Sequence, residues 1–192
     1  MTSKEHLETT LKLLQSTMNE LEKMKDFLNI QKINDQFYRR LFLRNTFSII
    51  ETYIFVTKEL IKNKLVIDKN SNQISWSDLT ALNEKKVMLD DQGKVKVRDD
   101  FQKFEPSLRF TLNLFAKVFN STAPNYSDNN FQKLISLHKR RNDITHPKSV
   151  EELTITDQEV KDTISMFAWF MQTHTMINTK FLEWIKSVYQ RT

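Results

Sequence analysis

The sequence predicts an all-α protein, an antiparallel helical bundle of about five long helices with one small β-hairpin insertion. Three observations carry that prediction. Through most of the 192 residues, apolar side chains recur at steps of three and four, the spacing of a single helix face. A single glycine, Gly93, and three prolines are too few for the many tight turns of an all-β fold. A composition of 39% hydrophobic and 28% charged residues supports a core and is too polar for a membrane bundle. At this length one domain over residues 1–192 is expected.

Leu7, Leu11, Leu14, Met18, Leu21 and Leu28 form a narrow apolar seam and predict a long first helix. Thr2 and Glu5 stand at capping-box spacing at its start. The seam suits either the core or a subunit interface. After a polar break near residues 31–35, a second helix is expected over about residues 36–64, and its stretch 47–56, apolar on nearly every side, marks it as central. Residues 67–100 change character and read as an insertion. They hold a turn-forming run at 68–72, a short helix after Ser77, and two short β-branched runs around Asp91-Gln92-Gly93 that predict a hairpin. Helical spacing returns with Phe101, Phe104, Leu108, Leu112, Phe115 and Phe119, where Pro106 either kinks the segment or begins a fresh helix. A loop at 121–128 precedes a helix carrying Phe131, Leu134, Ile135 and His138 toward Arg140 and Arg141, with Pro147 limiting its length. Thr156 and Glu159 form a second capping-box pair, and the last helix follows with Ile164, Phe167, Met171, Phe181, Ile185 and Val188.

Composition also removes function classes. With no cysteine there is no disulfide, cysteine nucleophile or thiolate metal site. With one glycine there is no phosphate-cradling fingerprint and no Gly-x-Ser-x-Gly elbow. His6, His138, His146 and His174 show no HExxH or HxH spacing, so neither a metal centre nor another cofactor is expected. The first twelve residues are polar and charged, and no apolar run reaches membrane-spanning length, so a cytoplasmic protein is the expectation.

Net charge is +5, and residues 131–149 alone carry +4, which points to an anionic partner. The same stretch contains His138-Lys139-Arg140-Arg141-Asn142-Asp143-Ile144-Thr145-His146-Pro147. Arginine stays charged and grips a phosphate with two parallel donors, while a neutral imidazole moves protons near pH 7. In an unbroken helix Arg141 and His146 would lie about 140° apart around the axis. His146 precedes a proline, however, which pushes it toward extended angles and out of the helix, free to fold back beside Arg141. The structural alternative is that Arg140 and Arg141 complement the carbonyl end of a helix while Asn142 and Asp143 cap it. Glu51 is the only charged residue between Arg44 and Lys58, set in an apolar run. A carboxylate buried there needs a cation, which Arg141 or Arg44 could supply, either to orient a phosphate-binding arginine or as a plain salt bridge between helices.

Arg141-Asn142-Asp143-Ile144-Thr145-His146 resembles the R-x4-6-H motif of the HEPN superfamily, including the polar residue after the arginine. The resemblance covers six residues and implies a small all-α fold with metal-independent endoribonuclease activity, of the kind found in toxin–antitoxin and antiviral defence systems. It implies that Arg141 and His146 handle attack by the ribose 2′-hydroxyl on the adjacent phosphate, leaving a 2′,3′-cyclic phosphate. Asn142, Asp143 and Glu51 would support them, and Lys139, Arg140 and Lys148 would contact RNA. It further implies a homodimer in which two motifs line one cleft, and an antitoxin or regulatory protein as a further partner. The competing class is a non-catalytic helical module that binds nucleic acid, a nucleotide or a protein.

Overall fold

The computed structural model describes residues 3–24, 30–69 and 74–190. Helices dominate them: α1 (Ser3–Met24), α2 (Ile30–Ile33), α3 (Gln36–Ile67), α4 (Trp76–Leu82), α5 (Phe104–Val118), α6 (Asn129–Thr145) and α7 (Asp157–Tyr189). Two antiparallel strands, β1 (Lys85–Leu89) and β2 (Val95–Asp99), form a hairpin in which Val87 faces Val97 and Leu89 faces Val95. The turn between them uses Gly93 at φ +74, a conformation that favours glycine.

Helix ends follow their capping chemistry. Asp35 accepts the Phe37 N–H at 2.7 Å before α3, and Asp128 accepts the Asn130 N–H at 2.7 Å before α6. Full capping boxes open α4 (Ser75 with Asp78) and α7 (Thr156 with Glu159). Pro106 lies in the first turn of α5, so that segment begins a fresh helix there, and Phe101 stays outside it, 91% exposed. The expected polar break near residue 31 is shorter than predicted, because α2 occupies Ile30–Ile33. Thr2, Leu28 and residues 70–72 of the predicted turn lie outside the described residues.

Two helix faces are rotated from their predicted positions. On α1 the buried positions are Leu7, Thr10, Thr17 and Met24, while Met18 is exposed. On α7 they are Val160, Thr163, Met166, Phe170, His174, Ile177, Phe181 and Trp184, and Ile164 is exposed. Both stripes keep the three-and-four spacing, but α7 has apolar residues on several sides, so periodicity alone could not choose between neighbouring stripes.

The chain divides into two compact units, Met1–Thr10 with Ile54–Ala123, and Leu11–Tyr53 with Pro124–Thr192. The first holds Leu60, Ile61, Leu82, Leu108 and Phe115 buried, and Phe115 stacks on Phe119 at 4.1 Å. The described part of residues 67–100 belongs to this unit. The Lys58 ammonium, 3% exposed as a residue, donates to Glu84 Oε1 and Ser107 Oγ, both at 2.8 Å, and to Gln102 Oε1 at 3.3 Å. The second unit buries Phe47, Ile50, Tyr53, Phe131, Leu134 and Phe170, and α6 packs along α7 within it. Among the described residues no helix is long and apolar enough to cross a membrane.

Candidate functional site

The R-x4-H stretch closes α6. Arg141 lies in its last turns, and the helix ends at Thr145, where the Pro147 ring and missing N–H stop its continuation. His146 leaves the helix with φ −127 and ψ 62, its backbone N–H still donating to the Asn142 carbonyl at 2.9 Å, and its imidazole is exposed.

Glu51 of α3 meets Arg141 in an ion pair, and Asn142 Oδ1 accepts from the same guanidinium at 3.0 Å. Of the two cations that the sequence offered to Glu51, the structure selects Arg141. Arg44 instead donates to the Ile144 carbonyl. The Glu51 side chain is 45% exposed against 21% for Arg141, so Glu51 is not the buried carboxylate for which a cation would be required. An exposed pair of this kind contributes little to stability. Among the described residues no hydrogen bond or ion pair joins Arg141 to His146. Both residues lie at the end of one helix.

The other residues singled out from sequence divide by helix face. Asp143, Lys139 and Arg140 line a cavity of about 280 Å³ between α6 and α7, together with Lys133, Glu159 and Asp162. Arg140 gives its donors to Glu159 Oε1 and the Glu152 carbonyl, both at 2.7 Å, and to the Thr154 carbonyl at 2.5 Å. These bonds tie the segment after the motif to the helix. Lys133 pairs with Asp162 at 2.7 Å in the same groove. Lys139 and Lys148 are exposed, and the Lys148 backbone N–H donates to Glu152 Oε2 at 2.6 Å.

Two further histidines belong to the same unit. His138, one turn before Arg141, packs edge-on to Phe47 at 5.5 Å, and burial, then the Arg141 charge, push its pKa down to about 4. It is neutral at pH 7, and its closeness to Arg141 follows from the i, i+3 spacing on α6. His174 is 1% exposed between Tyr53 and Phe170, neither ring nitrogen has a hydrogen-bond partner, and burial pushes its pKa down to about 3.

Sequence reasoning missed the set of donors that α3 extends to the segment after the motif. Arg39 reaches the Ile155 carbonyl at 2.8 Å and the Asp157 carboxylate at 2.6 Å, and Arg40 reaches the Leu153 carbonyl at 3.0 Å. Gln36 exchanges two hydrogen bonds with the Ile155 backbone, at 3.0 and 2.7 Å. The visible signal was Arg39 and Arg40 in the first turns of a helix, where cations are unfavourable to the helix dipole. Among the described residues no three His, Asp or Glu side chains converge to hold a metal ion. No family model, no curated protein and no solved structure matches the chain.

Proposed function

We propose that this chain is a metal-independent endoribonuclease of HEPN type, a cytoplasmic toxin or antiviral effector built as an antiparallel helical bundle. The observation that carries the reading is the oriented guanidinium of Arg141, steadied by Glu51 and Asn142 on the helix end from which His146 emerges. Arg141 holds the scissile phosphate in a bidentate grip. His146 accepts the proton of the ribose 2′-hydroxyl as the oxygen attacks phosphorus, and the bond to the departing 5′-oxygen breaks to leave a 2′,3′-cyclic phosphate. The exposed Lys139 and Lys148 draw the RNA backbone toward the site, while Arg140, with its donors engaged inside the protein, is left out of that set.

One chain contributes one such histidine, and a second group must protonate the 5′-oxygen. A homodimer supplies it by symmetry, with an antitoxin or regulatory protein covering the shared cleft. A non-catalytic nucleic-acid-binding module is the second reading, favoured by one observation: a phosphate reaching Arg141 must compete with Glu51 for the guanidinium. Incubating the purified protein and its His146→Ala variant with total RNA in EDTA separates the two. Cleavage by the wild type alone supports the nuclease, and binding without cleavage by either supports the module.

A further inference from the structure

We propose that Arg44 is a positioning residue for His146: by taking the Ile144 carbonyl, it fixes the end that Pro147 gives α6, from which the imidazole can reach a phosphate held by Arg141. The inference rests on the nuclease reading above and extends it to a residue of another helix.

The last carbonyls of a helix lack intrahelical donors and need partners from elsewhere. Had α6 continued, the donor to the Ile144 carbonyl would be the Lys148 N–H, four residues on. That N–H is given to Glu152 Oε2 at 2.6 Å instead, and Pro147 has none to give. The Arg44 guanidinium fills the vacated position. Ile144 is itself fully buried, so the peptide that Arg44 grips is anchored from the side-chain direction as well. Between this gripped peptide and the proline lie only Thr145 and His146, and His146 is where the backbone departs from helical angles.

Arg44 also shares its helix face with the residue that orients the arginine. Glu51 lies seven positions on, two turns along α3 and within about 20° of the same direction, roughly 10 Å away along the axis. One rigid helix therefore sets both Arg141, through Glu51, and the departure point of His146, through Arg44. Arg39 and Arg40 act further along, on the carbonyls of Ile155 and Leu153, seven or more residues past His146. Among the α3 arginines, Arg44 is thus the one whose removal acts first on the imidazole.

The chemistry separates this role from a phosphate grip. A single carbonyl needs one donor, which a lysine ammonium supplies, whereas a phosphate held by two parallel N–H groups does not accept that replacement. In the full-length protein, Arg44→Ala should lower kcat for RNA cleavage by on the order of 10²-fold with KM little changed, as for a reacting group displaced by about an ångström. Arg44→Lys should recover most of the rate, and Arg141→Lys should not. Without RNA, the His146 backbone amide should exchange with deuterium faster in Arg44→Ala than in the wild type, while amides of α7 keep their rates. Wild-type cleavage by Arg44→Ala overturns the proposal, as does loss of cleavage with unchanged His146 exchange, or an Arg44→Lys variant as damaged as Arg141→Lys. If Arg44→Ala does not fold, Arg44→Lys decides: recovered rate with wild-type His146 exchange supports the role, and a lost rate overturns it. If the wild type itself fails to cleave RNA, the nuclease reading falls, and exchange alone then judges Arg44, with an unchanged His146 amide overturning its role and a faster one supporting it.

Discussion

Arg141 and His146 divide the proposed chemistry between fixed charge and proton transfer, so the substitutions that test them differ in kind. His146→Ala should lower RNA cleavage by on the order of 10² to 10⁴ in a variant that still folds, the usual contribution of a proton-transferring side chain. Steady-state rates on one RNA check this, and an unchanged rate removes His146 from the mechanism. Residue types were legible in sequence: a histidine before a proline is pushed out of its helix, and Glu51 stood as a lone carboxylate with Arg44 and Arg141 as the cations on offer. Which cation it finds was not legible, since Arg44 and Arg141 are equivalent until the helices are placed. His174 was legible only as a histidine amid apolar residues, and its burial gives a pH dependence of stability. In the unfolded chain it titrates near 6.5, but in the fold its pKa is about 3. Below pH 6.5 the unfolded state therefore binds a proton that the folded state refuses, and stability falls by about 1.4 kcal/mol per pH unit from this residue until its folded pKa is reached. His138, at about 4, adds in the same direction. The lowered carboxylates Glu159 and Asp162 lose their contributions at more acid pH, so the window from 6.5 to 5 belongs to the histidines. Thermal melts should show a falling midpoint across that window and a flatter profile in His174→Leu. Parallel profiles would contradict the account.

At the scale of elements, the hairpin poses the clearest question. Four of the five β1 residues and all of β2 are exposed, so its strands add little to any core, and a two-stranded hairpin is marginal by itself. Its base, in contrast, is tied by Lys58 to Glu84, Gln102 and Ser107. Replacing residues 87–97 by a short polar linker should leave helical circular dichroism and the melting midpoint nearly unchanged, because surface segments tolerate length changes. Lys58→Met should do more, since it removes the donor shared by three acceptors, and should raise amide exchange through 82–107. The reverse ranking would show that the strands stabilise the unit and the lysine does not. Elements were legible from sequence wherever a capping side chain marked a boundary, as Thr156 does for α7, or a proline stopped a helix, as Pro147 does for α6. Their buried faces were less so. Met166, Phe167, Phe170 and Met171 offer two candidate stripes one residue apart, and only packing selects Met166 and Phe170.

For the whole molecule, length suggests one domain, and the structure describes two compact units to each of which α1 and α3 contribute residues. No local pattern announces that a helix such as α3 changes neighbours near Tyr53. Charge is the molecular property that bears on partners, with +4 of the net +5 in residues 131–149. RNA binding should therefore weaken steeply as salt rises, with log affinity falling linearly in log salt, whereas a flat response would remove phosphate contacts from the account. Light scattering at micromolar concentration should find a particle of twice the chain mass, and a fully active single chain would contradict the shared cleft. The central claim is cleavage through the 2′-hydroxyl by Arg141 and His146, and it is tested most directly on one oligoribonucleotide in EDTA, beside a copy carrying a single 2′-deoxy nucleotide at the cut site. Expected are a 2′,3′-cyclic phosphate on the 5′ fragment, an uncut deoxy copy, and cleavage of the all-ribose copy by His146→Ala lowered by on the order of 10² to 10⁴. Cleavage of the deoxy copy, or equal cleavage by the His146→Ala protein, would contradict it.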